Sequence, residues 1–165
     1  MVAVHSLSKR SNLAGLRVGF YAGDPDLVTY LAAVRKHAGL MVPGPVQAAA
    51  TVALDDDAHV DDQRARYRRR LQVLASALTA AAIPAAVPAG GFYLWVAVPA
   101  AMAADTGGRD ASWRLAEHLA ATAGMVVSPG VFYGDAGGGY VRIAVVADDE
   151  RIDRVAGRLG GGRDR

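Results

Sequence analysis

The sequence predicts an α/β fold built in two parts around a long helix, and three observations carry that prediction. Two short runs of β-type residues, Val2 to Leu7 and Arg17 to Ala22, open the chain and precede a helix signal at Asp24-Pro25. Val60, Tyr67, Leu71, Leu74 and Leu78 then recur at near-heptad spacing, which marks the buried face of a long helix. From Val87 onward the pattern becomes strand, helix, strand, strand, helix, the order of a small α/β or α+β domain.

Each element has a local cause. The second opening strand closes at Gly23-Asp24-Pro25, and Lys9 sits in the connection between the two strands. Asp24 is placed to cap the next helix, Pro25 suits its first turn, and Leu27, Leu31 and Val34 supply a buried face. Gly39 to Pro45, with two prolines, reads as a loop, and Val46 to Leu54 as a second helix. Asp55, Asp56, Asp57, Asp61 and Asp62 lie at the positive end of the long helix. Arg64, Arg66, Arg68, Arg69 and Arg70 form the most basic patch. At about 100° per residue they scatter around the helix, and Asp61 and Asp62 are spaced to pair with Arg64 and Arg66. A solvated face accounts for them better than a nucleic-acid stripe does.

Beyond the long helix, Gly91 to Val98 reads as a strand, and Ser112 to Ala123 as a helix carrying Trp113, Leu115, Ala116 and Leu119. Met125 to Ser128 and Tyr140 to Val146 read as strands, and Asp148 to Leu159 as a closing helix. Gly137-Gly138-Gly139 lacks the lysine–hydroxyl pair and following helix of a phosphate loop, so a hairpin connection is expected. The expected organisation is residues 1–60, a connecting helix over 61–80, a small domain over 81–160 and a frayed tail over 161–165.

Composition removes several function classes. With 52% hydrophobic and 21% charged residues the chain is a folded polypeptide rather than a disordered one. A formal charge of +2 demands neither nucleic acid nor an anionic membrane. Without cysteine there is no disulfide and no thiolate metal site. His5, His37, His59 and His118 lack metal-ligand spacing, so no metal is expected. Leu71 to Ala104 carries no formal charge, but Pro84, Pro88, Gly90, Gly91 and Pro99 break it, so no membrane span is expected. Met1 to Leu7 lacks the basic start and apolar core of a signal peptide, and a cytoplasmic location is the default expectation.

The most informative stretch is Ser6-Leu7-Ser8-Lys9-Arg10-Ser11-Asn12-Leu13-Ala14-Gly15-Leu16-Arg17. The chain holds two lysines against sixteen arginines, and one of the two stands here among hydroxyl residues. A lysine amine can lose its proton and form a Schiff base with an aldehyde cofactor, which a guanidinium cannot do. The plain alternative is a solvated turn lysine. Arg142, in Tyr140-Val141-Arg142-Ile143-Ala144, also has two readings. Either it is an edge-strand arginine facing water, or it is held in an apolar strand by a negative partner.

Ser6, Ser8, Lys9 and Arg17, written loosely as Ser-x-Ser-Lys, a glycine-containing loop and Arg-x-Gly, resemble the lysine motif of the fold-type I pyridoxal 5'-phosphate (PLP) enzymes. The match is to the class I/II aminotransferases. Within that family His5 to Gly19, Val34 to Gln47 and Arg64 to Arg70 look most like the succinyldiaminopimelate aminotransferases of lysine biosynthesis. The resemblance implies the C-terminal portion of the fold-type I fold: the end of the large-domain mixed sheet, then the small α/β domain. It implies that Lys9 is the catalytic, PLP-bearing lysine, and that Ser6, Ser8 and Arg17 hold the cofactor phosphate. It further implies that Arg142 binds the substrate α-carboxylate, and Ser128-Pro129-Gly130 with Phe132-Tyr133-Gly134 matches the segment that precedes it. Gly90-Gly91-Phe92-Tyr93-Leu94-Trp95 resembles the family's first small-domain strand, a candidate substrate contact whose plain role is core packing.

The implied reaction passes an amino group from an N-succinylated diamino acid to a 2-oxo acid acceptor such as 2-oxoglutarate, in a homodimer. Two alternatives stand beside it: another amino-acid aminotransferase of aspartate or aromatic type, and a non-catalytic remnant that binds a ligand or partner chain without turnover. The family's acid for the pyridine nitrogen, its ring-stacking aromatic and its second phosphate loop belong to a region upstream of this pattern. The chain is therefore expected to be a C-terminal fragment, inactive alone, and either poorly soluble or dependent on a partner that covers its first strand.

Overall fold

Branched and apolar residues at the start of the chain form β1 (Val2–Ser6), which pairs antiparallel with β2 (Gly19–Gly23) in the computed structural model. The structure describes residues 1–104 and 110–161, and it divides into two units, Met1–Arg64 and Ala65–Arg165. Of the tail expected to fray, 162–165 lie outside the described residues, and Gly161 is the C-cap of the last helix.

In the first unit the β1–β2 register runs from Val2 opposite Gly23 to Ser6 opposite Gly19. The first strand stops one residue earlier than expected, because Leu7 turns into a single helical turn, α1 (Leu7–Arg10). The second begins at Gly19 rather than Arg17, because Arg17 adopts a left-handed backbone that no strand contains. The α2 helix (Pro25–His37) starts as its sequence dictates: Asp24 Oδ1 accepts from the N–H groups of Asp26 at 3.0 Å and Leu27 at 3.1 Å. Its apolar face is not fully buried, however. Leu27 and Val34 are 47% and 45% exposed while Leu31 is half-buried, so the unit covers that face only in part. The α3 helix (Gly44–Asp55) begins earlier than expected because Pro45 is accommodated in its first turn.

The long helix is α4 (Ala58–Ala80), and it crosses the boundary between the units. Asp61 accepts from Arg64 at 2.7 Å near its start, as the spacing predicts. In the second unit, β3 (Tyr93–Ala97), β4 (Ser128–Pro129) and β5 (Tyr140–Ala144) form an antiparallel sheet in the order β3-β5-β4. A short turn, α5 (Ala100–Ala103), precedes α6 (Ala111–Ala123), and α7 (Asp149–Gly160) closes the chain. Alternation on β3 and β5 sends Leu94, Val96, Val141 and Ile143 into one core with Leu74, Leu78, Leu115 and Leu119. Trp113 of α6 is 40% exposed. The expected strand at Met125 to Ser128 shrinks to β4, and Val126 is 92% exposed.

Ion pairs tie α4 to α7 within this unit. Arg69 reaches Asp153 at 2.9 Å, and Arg70 Nε donates to Asp149 Oδ1. That hydrogen bond holds the Asp149 carboxyl below the usual carboxylate range.

Candidate active site

The lysine segment is built on a small apolar anchor. Leu7 and Val18, 1% and 7% exposed, bracket the connection between β1 and β2 and pack with Ala50 of α3. Leu7 N–H donates to Val18 O at 3.2 Å and so extends the pairing one step past the strands. Between these two buried residues the chain exposes what the anchor does not need, including Lys9 and Arg17. Ser6 Oγ accepts from Ser8 N–H at 3.2 Å and caps α1, which fixes where the turn carrying Lys9 begins. Ser6, Ser8, Lys9 and Arg17 thus share one connection.

Backbone strain marks the same connection. Asn12 and Arg17 have φ of 54° and 51°, a left-handed conformation that costs a residue with a Cβ about 1–2 kcal/mol. Arginine is an unusual occupant of such a position, and strained backbone gathers at functional sites. Arg17 Nη1 donates to Ala14 O at 3.0 Å, which leaves the rest of the guanidinium fork for another acceptor. The glycine of Arg17-Val18-Gly19 has a steric reason too. A Cβ on Gly19 would lie 2.4 Å from the His5 carbonyl oxygen, so only glycine lets β2 approach β1. Gly19→Ala is expected to destabilise the first unit by about 1–3 kcal/mol, seen as loss of amide protection in β1 and β2 by hydrogen exchange. Intact protection in that variant would refute the close-approach account.

Arg10 was not singled out by its sequence context, yet it holds the lysine turn in place. Its Nη1 donates to Ala53 O at 2.7 Å, and its Nη2 pairs with Asp57. Asp57 therefore works as an anchor for α1 as well as lying before α4. Asp56 is held below the usual carboxylate range by its hydrogen bond to His59, whose Nε2 is buried without a hydrogen-bond partner among the described residues. Among the described residues no group of three His, Cys, Asp or Glu side chains could hold a metal ion, and no helix is long and apolar enough to cross a membrane.

Arg142 belongs to the second unit and lies on β5, the middle strand of its sheet. The edge-strand reading is corrected: β4 pairs with β5 on the side away from β3, so Arg142 has a strand on each flank. Its guanidinium carbon lies over the rings of both Tyr93 and Tyr133, 4.5 Å from each centroid. Its Nε is buried with no hydrogen-bond partner among the described residues. Arg142 also lines a cleft of ≈ 440 Å³ with Ser128, Ala144 and Arg154, a volume suited to a small molecule. Sequence spacing could not place Tyr133, which reaches Arg142 through a glycine-dependent turn. A Cβ on Gly137 would meet Gly130 O at 2.1 Å, so the two backbones touch and fold Gly130–Tyr133 back over the sheet.

Comparison with known proteins identifies the family. Residues 1–159 match the model of the family "Aminotransferase class I and II". The 4-dedimethylamino-4-oxo-anhydrotetracycline transaminase OxyQ of Streptomyces rimosus is 51% identical over 159 residues, covering 96% of this chain and 41% of that protein. An LL-diaminopimelate aminotransferase of Nitratidesulfovibrio vulgaris is 34% identical, over 96% of this chain and 39% of its own length. The crystal structure of an aminotransferase from Neisseria meningitidis superposes with a TM-score of 0.79 at 35% identity, over 96% of this chain and 39% of that one. The chain thus spans about 40% of the length of such relatives, and its architecture is a part of the fold-type I aminotransferase fold. On the family match along its length, the chain belongs to the class I and II aminotransferases.

Proposed function

We propose that this chain carries the cofactor lysine, the phosphate-binding side chains and the carboxylate-binding arginine of a PLP-dependent aminotransferase. The observation that carries the reading is the strained, glycine-closed connection that exposes Lys9 and Arg17 beside Ser6 and Ser8. The donor set suits the group. Residues 6–17 contain three serine hydroxyls, one amine, the guanidinium forks of Arg10 and Arg17 and no carboxylate, which favours a dianionic phosphate over any cation. PLP dependence is a general property of the family, and when bound the cofactor supplies an electron sink for amino transfer.

The roles of the chain's own groups follow. Lys9 Nζ would anchor the cofactor, and its amine would hold and move the proton at the substrate α-carbon. Ser6, Ser8 and Arg17 bind and orient the phosphate. Arg142 binds the substrate carboxylate through its guanidinium fork. The parent enzyme is read as a homodimer, as is common in the family.

For the substrate, we favour transfer from an N-succinylated diaminopimelate to 2-oxoglutarate. The support is the sequence resemblance to that subfamily and the diaminopimelate specificity in the name of the 34% identical relative. A second reading is favoured by the 51% identity to the anhydrotetracycline transaminase: a large cyclic ketone as amino acceptor. Glutamate formation from 2-oxoglutarate with the succinylated donor separates the two. Cofactor binding without any half-reaction would instead mark the non-catalytic alternative.

The direct test is incubation with PLP, borohydride reduction and peptide mapping by mass spectrometry. The expected result is a reduced pyridoxyl tag on Lys9 and none on Lys36. Equal tagging of both lysines, or of neither, would count against the assignment.

A further inference from the structure

We propose that Tyr93 and Tyr133 are positioning residues that hold the Arg142 guanidinium flat against their rings, so that it accepts a planar carboxylate edge-on. The inference rests on the assignment of Arg142 to carboxylate binding made above. A centroid distance of 4.5 Å to each ring is well inside the cation–π range of about 6 Å.

The two rings arrive from different elements, which makes the arrangement hard to form by accident of neighbourhood. On the sheet, Trp95 is directly opposite Arg142 and Tyr93 is opposite Ala144, so Tyr93 is a diagonal neighbour of Arg142 on the same face. Tyr133 comes from the turn after β4. Both tyrosines are themselves held. Trp95 meets Tyr133 edge-on at 5.8 Å and stacks on Tyr140 at 5.5 Å, while Phe92 lies 4.4 Å from Tyr93.

The consequence for recognition is geometric. A guanidinium is weakly hydrated and stacks readily, so rings can replace water over its faces. Its N–H donors all point within its plane. With two ring centroids 4.5 Å from the guanidinium carbon and Nε buried without a partner among the described residues, the arrangement proposed leaves an acceptor the exposed edge of the fork. A carboxylate, with two oxygens in one plane, matches that edge in a bidentate pair. A lysine at the position would keep the charge and lose both the stacking and the fork.

The test uses the whole chain, with Arg142 Nε–H followed by ¹H–¹⁵N NMR during titration with glutarate and, separately, inorganic phosphate. The wild type is expected to show an upfield, ring-shifted Nε–H signal that moves with glutarate, with phosphate as the comparison anion. Tyr133→Leu and Tyr93→Leu should each weaken glutarate binding about tenfold, while Tyr133→Phe, which keeps the ring, stays within about twofold. Tyr133 is 47% exposed, so Tyr133→Leu leaves the core untouched, and thermal melting checks this. Glutarate binding that is unchanged in both leucine variants overturns the positioning role alone. If the wild type binds no glutarate, the carboxylate assignment of Arg142 falls and the positioning role falls with it.

Discussion

Arginine in place of Lys9 will abolish covalent capture of PLP by this chain while leaving its fold intact. The two side chains share charge and similar length, so Lys9→Arg isolates the one property that matters, an amine able to form an imine. Lys9 is exposed on a one-turn helix whose buried residue is Leu7, and surface substitutions of this kind shift stability by no more than about 0.5 kcal/mol. Borohydride reduction followed by intact-mass analysis should show the pyridoxyl adduct on the wild type and on Lys36→Arg, and none on Lys9→Arg. An adduct that survives in Lys9→Arg would remove Lys9 from the proposed chemistry.

Gly137→Ala will strike the second unit, and through it Arg142. A Cβ there would lie 2.1 Å from Gly130 O and 2.7 Å from Gly130 C. Both neighbours are backbone, so no side chain can swing aside. The reciprocal clash at Gly130, 2.1 Å from Gly137 O, shows that the contact is tight from both directions. The turn must open, and with it goes the loop that is latched to α6 by Ser112 N–H donating to Gly138 O at 2.9 Å. We expect a loss of about 3 kcal/mol, the upper end for overpacking, and a melting temperature lower by roughly 12 °C or more. Gly139→Ala is the matched control, since a Cβ there meets nothing within 4 Å. A melting temperature in Gly137→Ala equal to that of the control would refute the contact.

Much of this architecture was legible because its causes are local. Asp24 before Pro25, and Asp148 before a polar–apolar alternation, start helices by hydrogen bonds that span only a few residues. The apolar spacing of α4 carries through to Leu71, Leu74 and Leu78, all buried. The lysine segment was legible from residue types alone, since hydroxyls, an amine and a fork in twelve residues limit the chemistry. What escaped depends on distant partners. The edge-strand alternative for Arg142 stayed open because nothing within β5 reveals that the two residues of β4 pair beside it. Tyr133 could not be assigned to Arg142 because its position follows from the contact between Gly130 and Gly137, which spacing does not encode. Leu27 and Val34 misled in the opposite sense, as a helical apolar stripe predicts burial but not what provides it.

The left-handed backbone of Arg17 sets two demands on one residue. At φ 51° glycine would relieve the strain, yet glycine has no guanidinium to offer a phosphate. Selection for thermal robustness and selection for cofactor grip therefore pull this codon in opposite directions. A chain optimised for backbone ease alone would drift toward glycine there and lose both the hydrogen bond to Ala14 O and the anion-binding side chain that we propose.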